Sequence, residues 1–270
     1  MIQFRTISPD KSVSLFVKEI LIYEDTGNHQ KATLPFFADG FPGLMFHETE
    51  HELWVSPHNK QMPPLFLYGQ TLKPIELIIT GNYKLIVFQL YPFVLKSLFR
   101  VDPQTLNDNC YDLIHLENNI GADTIRQLNQ THNLDERIQL ITTLLLSLFT
   151  NKQKELDLTI TRAIKKILDN KGILTIKELY NDLHMTERTF ERRFLASVGV
   201  TAKQFSKIIR FQQSLEQINV KDHSKLTDIV YANGFADQSH FIKVFKAFTG
   251  RTPLAYITKV ILSVLFYFPG

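Results

Sequence analysis

Apolar positions recur with two different periods along the chain. In residues 1–100 they come in short stretches, Leu65–Tyr68, Leu77–Thr80 and Leu85–Leu90 among them. Pro and Gly punctuate these stretches at Pro42-Gly43, Pro63-Pro64, Gly69, Pro74 and Gly81-Asn82. Short strands at such close spacing predict a small β-barrel or sandwich. Gly81-Asn82 reads as a hairpin turn between the last two stretches. From residue 91 to 150 the period lengthens. Ile138, Ile141, Leu145 and Leu148 fall three or four apart within Leu134–Phe149, which predicts an amphipathic helix. Such a stripe serves a core first and a dimer seam second. The polar segment 150–156 marks a domain boundary. A helix follows over Leu158–Asn170, stopped by Lys171-Gly172.

Beyond that boundary the pattern repeats itself at an offset of 51 positions. Leu179 answers to Val230, Thr186 to Asp237, and Phe190 and Phe194 to Phe241 and Phe245. Gly199, Thr201 and Phe205 answer to Gly250, Thr252 and Tyr256. Each copy reads as a short helix, a tight turn and a second helix with an aromatic inner face. That is the plan of a helix-turn-helix, and two of them point to double-stranded DNA.

In the first copy, Thr175-Ile-Lys-Glu178 is a capping box, and Thr186 caps the second helix. With Phe190 and Phe194 turned inward, Arg188, Glu191 and Arg192 face out, and Thr189 lies near the N-terminal end. Arg suits guanine, Glu cytosine and Thr a base edge or thymine methyl. A second capping box, Thr201-Ala-Lys-Gln204, starts a helix of about eighteen residues, roughly 27 Å of rod. That rod suits two recognition helices in successive major grooves, about 34 Å apart. Lys203, Lys207 and Arg210 on or near it would meet phosphates, as would Lys246 and Arg251. In the second copy Gly234 supplies the turn and Asp237 the cap. Phe241, Phe245 and Phe248 face in, leaving Gln238, Ser239, Ile242 and Lys243 outward with His240 nearby. Thr252-Pro253 starts a last helix.

Charge sharpens this division. Residues 1–150 hold 11 Lys+Arg against 16 Asp+Glu, whereas residues 151–270 hold 19 against 11. Only the second part is suited to a polyanion. The single cysteine, Cys110, leaves no disulfide framework and no cysteine-based zinc finger. No secretory signal and no apolar run of the roughly 18–20 residues that span a bilayer is legible, so a soluble cytoplasmic protein is expected.

Residues 155–257 resemble the AraC/XylS family of bacterial transcription regulators. The anchors of that likeness are Gly234-Phe235, Asp237, Phe241, Phe245, Gly250, Pro253 and Tyr256. In the first module they are Thr186, Arg188, Thr189, Phe190, Arg192, Arg193, Phe194 and Gly199. The resemblance implies a seven-helix unit binding promoter DNA through two recognition helices joined by a long helix. Carried over by position, the base-facing residues are Arg188, Thr189, Glu191, Arg192, Gln238, Ser239, His240, Ile242 and Lys243. RNA polymerase and a homodimer follow as expected partners, with an activator's and a repressor's role both open. The ending departs from the family, since Ile257 follows the tyrosine and the tail Val260–Phe268 is apolar and β-prone. Residues 1–150 resemble, more loosely, the cupin-like domain of one branch, carried by Pro35–Phe46 and Tyr68–Pro92. Such a domain implies a small-molecule effector or a dimerisation role.

The expected fold is therefore α+β. A cupin-like small β-barrel with helices (1–150) precedes an all-α domain of two helix-turn-helix modules (151–260) and an apolar tail (261–270). No catalysis and no cofactor are expected. The histidines His47, His51 and His58, with Glu48, do not match the cupin metal spacing, and solvated loop histidines are the simpler reading. Two alternatives stay open: a cupin-type metal enzyme with a DNA-binding appendage, and a regulator whose first half docks another protein.

Overall fold

The computed structural model describes residues 3–27, 31–116, 119–150, 156–220 and 225–258. The N-terminal part contains β1 (Gln3–Ile7), β2 (Val17–Asp25), β3 (Ala32–Phe36), β4 (Gly43–Thr49), β5 (Leu53–Ser56), β6 (Lys60–Gln61), β7 (Leu65–Tyr68), β8 (Ile75–Ile79) and β9 (Tyr83–Leu90). Two short helices, α1 (Val94–Ser97) and α2 (Pro103–Leu106), then lead to β10 (Cys110–Asp112). All the pairings are antiparallel. One sheet has the order β1-β2-β9-β4-β7-β10, the other β3-β8-β5-β6.

The composition of β9 explains the layering. Its residues Tyr83, Leu85 and Val87 pack toward the smaller sheet, with Met45, Leu53 and Leu77. Its alternate residues Ile86, Phe88 and Leu90 pack on the opposite side, with Phe46, Val94 and Leu144. A strand buried on both faces reads as a continuous apolar run, and Leu85–Leu90 does so apart from Gln89. The larger sheet is thus the middle layer between the smaller sheet and the helices.

Gly81-Asn82 does not close a hairpin. Ile79 pairs with Ala32 and Leu53, while Tyr83 pairs with Asp25 and Thr49. The turn carries the chain from one sheet to the other, with Gly81 at φ +77° and Asn82 donating its N–H to the Glu50 carboxylate at 3.0 Å.

Next come α3 (Ile120–Gln130) and α4 (Leu134–Thr150). The α4 stripe is spent on the core: Ile141 and Leu145 are fully buried, with Ile138 and Leu148 packed beside them. Arg137 on α4 is also buried and forks onto Glu48 of β4, Nη1 to Oε2 at 2.6 Å and Nη2 to Oε1 at 2.9 Å. That pairing holds the Glu48 carboxyl below its ordinary range. His47 is not a solvated loop residue. It lies buried on β4 with Nε2 3.0 Å from the Pro63 carbonyl, and burial lowers its pKa, while His51 and His58 are exposed. Among the described residues no group of three or more His, Cys, Asp or Glu could hold a metal ion.

The C-terminal part is helical: α5 (Leu158–Asp169), α6 (Ile176–Asp182), α7 (Glu187–Val198), α8 (Ala202–Asn219), α9 (Leu226–Ala232) and α10 (Gln238–Thr249), with residues 253–258 also helical. The expected boundary at 150–156 falls mostly on 151–155, and the apolar tail on 259–270, both outside the described residues.

The two parts share their cores. Leu95 and Leu106 of the first part lie in one cluster with Ile164, Phe190, Phe194 and Phe205. Ala38, with Phe37 and Leu72 beside it, lies in the cluster of Phe211, Phe241 and Phe245. Gly199 ends α7 at φ +85° against Pro103, where a Cβ would come within 2.7 Å of the Pro103 carbonyl. Asn107 donates to the Gly199 carbonyl at 2.8 Å, and Gln212 of α8 to the Ala38 carbonyl at 2.5 Å.

Beside that seam sits Asp39. Burial pushes its carboxyl up from the ordinary 3.8 to about 6, against the lowering effect of the Phe41 N–H, Lys18 and Gln89. A carboxyl whose pKa is higher folded than unfolded favours folding when protonated. Its contribution is therefore complete below about 3.8 and is lost as pH rises to about 6. Asp39→Asn should flatten this part of the stability–pH curve, by an amount on the order of 1–3 kcal/mol. Urea titrations of both proteins between these pH values measure it, and parallel curves would contradict it.

Candidate nucleic-acid interface

Both modules are built by local signals. Thr175 accepts the Glu178 N–H at 3.2 Å, and the Glu178 carboxylate accepts the Thr175 N–H at 2.9 Å, starting α6. The chain turns at His184 (φ 51°), and Thr186 caps α7 by accepting the Thr189 N–H at 3.3 Å. Phe190 and Phe194 are fully buried, 5.6 Å apart, and Phe194 meets Phe205 of α8 at 5.9 Å. In the second module Gly234 takes φ +67°, and Asp237 accepts the His240 N–H at 2.7 Å to start α10. Phe241 and Phe245 are fully buried, and Phe211 of α8 packs on Phe245 and Phe248 at 5.5 and 5.0 Å. Thr201 accepts the Gln204 N–H at 3.1 Å at the start of α8. The eighteen residues of this helix span roughly 27 Å. Its inner face serves both cores, Phe205 in one and Phe211 in the other.

Fixing the phenylalanines inward leaves one face of each second helix to solvent. On α7, Arg188 and Arg192 are exposed, and no hydrogen bond or ion pair ties either to the described residues. On α10, Gln238, Ser239, Lys243 and Lys246 are exposed, and Ile242 is half-buried. Along α8, Lys203 is exposed, and Lys207 lies with its ammonium 5.8 Å from the Phe248 ring. Burial, then the neighbouring charges of Arg210 and Lys203, lower the Lys207 pKa. Three like charges on one helix are uncomfortable alone and suit an anionic partner.

Other expected contact residues have partners within the chain. Glu191 is half-buried and accepts the Ala202 N–H; burial, with Glu187 adding, still raises its pKa. It therefore serves the start of α8. Thr189 accepts a hydrogen bond from the Thr186 hydroxyl at 3.0 Å. His240 meets Phe235 edge-on at 5.8 Å. Arg210 donates Nη1 to the Gly234 carbonyl at 2.8 Å and covers the Phe235 ring at 5.4 Å. Its guanidinium thus holds the second module's turn on α8. Arg251 is half-buried and lines a crevice of about 460 Å³ with Pro35, Pro74 and Glu76 of the first part, apart from the α8 cations.

Arg193 was not expected to be structural. It forks onto Asp157, Nε at 2.9 Å and Nη2 at 2.5 Å, while Asp157 caps α5 by accepting the Ile160 N–H at 3.2 Å. The only trace of this in the sequence is its place next to the buried Phe194, one position round the helix from Arg192.

Comparison with known proteins bears directly on these two modules. A family described as "Helix-turn-helix domain" matches residues 179–259, from α6 through both modules to the final helix. Residues 179–259 are an AraC-type helix-turn-helix domain. Ahead of the AraC-type domain, residues 5–112 match a family described as "Domain of unknown function (DUF6597)". Two uncharacterized HTH-type transcriptional regulators of Staphylococcus aureus, SAS0078 (strain MSSA476) and SACOL0084 (strain COL), are each 30% identical over 83 residues, 31% of this chain. The chain spans only 11% of the length of these relatives. Among solved structures, ToxT from Vibrio cholerae O395 is 16% identical, with 94% of this chain and 97% of that one covered and a TM-score of 0.46. The AraC-like transcriptional activator CuxR is 12% identical over 86% and 91%, with a TM-score of 0.28. No described helix of this chain is long and apolar enough to cross a membrane.

Proposed function

We propose that the chain is a sequence-specific transcription regulator whose AraC-type domain reads two successive major grooves of promoter DNA. One observation carries this reading. Two equivalent capped helices, α7 and α10, each turn aromatic residues into a core and leave unengaged polar side chains outside. Arg188 and Arg192 on α7, and Gln238, Ser239 and Lys243 on α10, would contact bases. Thr189, Glu191, His240 and Ile242 would shape the surface around them. Lys203, Lys207 and Lys246 would hold phosphates and fix the register. The first 150 residues would alter DNA affinity on binding a small molecule or partner. RNA polymerase and a second copy of the chain complete the assembly.

Selection of random duplexes by the full chain tests the reading, with salt-dependent binding to the enriched sequence. The full chain is needed because residues 1–150 contribute to both cores. Two short motifs about one helical turn apart are expected. Weak, sequence-blind binding would leave a nonspecific binder. Lys207→Ala should weaken all duplexes alike and lower the salt slope by about one unit. A loss confined to the enriched sequence would instead make Lys207 a base contact.

A further inference from the structure

A cleft of about 890 Å³ lies between the first part and helices α5 and α8. One wall is aromatic. The rings of Tyr91 and Phe93 stack at 5.9 Å and 3°, and Phe41 meets Tyr91 edge-on at 6.2 Å. The facing wall, from α5 and α8, is mixed: Ile164, Leu168, Ile209 and Leu215 give it an aliphatic strip, flanked by polar side chains such as Thr161 and Gln212. Asp39 and Gln89 line the cleft as a fixed polar pair: Asp39 Oδ2 accepts from Gln89 Nε2 at 2.7 Å, and Oδ1 accepts the Phe41 N–H at 2.9 Å. The cleft is lined by the carboxylates of Glu19, Asp39, Asp169 and Glu216, against the ammonium groups of Lys18 and Lys165. The Tyr91 phenol reports the resulting field, since burial and then Asp169 and Glu19 raise its pKa.

A cation already sits on this wall. Lys18 holds its ammonium 4.3 Å from the Phe41 ring centre and donates to Glu19 at 2.6 Å. Aromatic faces and carboxylates together attract positive charge, more so where water is scarce. A cleft of this volume takes a small organic molecule. We propose that the cleft binds an organic ammonium compound with an aromatic or branched apolar body. Its charge lies against Asp39 and the aromatic wall, in the seat that Lys18 holds in this structure. The apolar body lies against α5 and α8, so the ligand bridges the first part and the helix that joins the two modules. This assignment deepens the regulator reading and rests on it for the ligand's effect on DNA, though not for the binding itself.

Calorimetric titration of the full chain with tryptamine and phenethylamine tests it, each paired with the carboxylate of matching body, indole-3-propionate or 3-phenylpropionate. One saturable site for at least one amine is expected, with its carboxylate partner about ten-fold weaker or silent. Asp39→Asn should weaken the amine about ten-fold, and Lys18→Met should tighten it by vacating the seat and removing a positive charge. Should Asp39→Asn not fold, Glu216→Gln on the exposed side of α8 is expected to weaken it about three-fold. Silence from both amines, carboxylates binding as well as amines, or weaker amine binding by Lys18→Met each overturns the proposal. Repeating DNA titrations at saturating amine separates the two readings. Amine binding with unchanged DNA affinity keeps the site and removes it as the effector site. Amine binding by a chain that selects no DNA sequence keeps the site and removes the regulator.

Discussion

Arg192→Ala is expected to lower affinity for the selected duplex by about ten- to a hundred-fold and to relax preference at one base pair, the usual effect of losing a contact worth roughly 1–3 kcal/mol. Lys243→Ala should do the same in the other half of the site. Both side chains project from faces that the buried phenylalanines force outward, and neither holds the fold together. Stability should therefore move by less than about 0.5 kcal/mol. Titrations against the selected duplex and its single-base variants, at one fixed salt concentration, report both effects. Unchanged affinity and preference in both variants would rule out α7 and α10 as readers. Arg193→Ala is the informative contrast, because its fork onto Asp157 makes it costly to stability rather than to base preference.

Phe211→Ala should cost about 3–5 kcal/mol, in the range for deleting a buried aromatic ring. Phe211 is fully buried and packs on both Phe245 and Phe248, so it is the main joint between α8 and the second module. The first module's joint is a different residue on the same helix, Phe205 against Phe194. The loss should accordingly fall on the second half of the DNA site. Duplex selection with the variant should retain one motif and blur the other, and urea titration should show the destabilisation. An even loss across both motifs would mean that the two modules unfold together. Tyr231→Ala, at an exposed position on α9, should leave stability nearly unchanged.

Local structure was the legible part of this chain. The caps at Thr175, Thr186, Thr201 and Asp237 and the turn at Gly234 act within a few residues, and the structure places them as the spacing predicts, except that the box expected at Thr201 shows only its threonine half, the bond from the Gln204 N–H. Strand pairing was less legible, because it is decided by distant partners. Gly81-Asn82 has the look of a hairpin turn, yet β8 and β9 find their neighbours in different sheets. A helix face is legible where a phenylalanine fixes it and less so at its edges. Glu191 and Arg210 sit at such edges, and each is drawn to a backbone group that no helical wheel contains, the Ala202 N–H and the Gly234 carbonyl. The α4 stripe could serve a core or a dimer seam by pattern alone, and the sheet beneath it decides for the core. The contact of Gly199 with Pro103 spans 96 positions, and neither residue announces the other.

The seam between the two parts bears on how such a chain can be recombined. A cut at 151–155 looks harmless, since the segment is polar and lies between helices. It would nevertheless strip Leu95 and Leu106 from the first module's core and Ala38 from the second's, leaving the Gly199 carbonyl without the Asn107 amide and the Gln212 amide without the Ala38 carbonyl. The helix-turn-helix part, transplanted from this chain onto another N-terminal domain, would carry two bare apolar patches. The portable part is accordingly not a stretch of sequence. A graft that keeps this part soluble has to reproduce the Phe37–Gly40 loop and α2 with its cap at Asn107 on the new host, or replace the exposed side chains with polar ones.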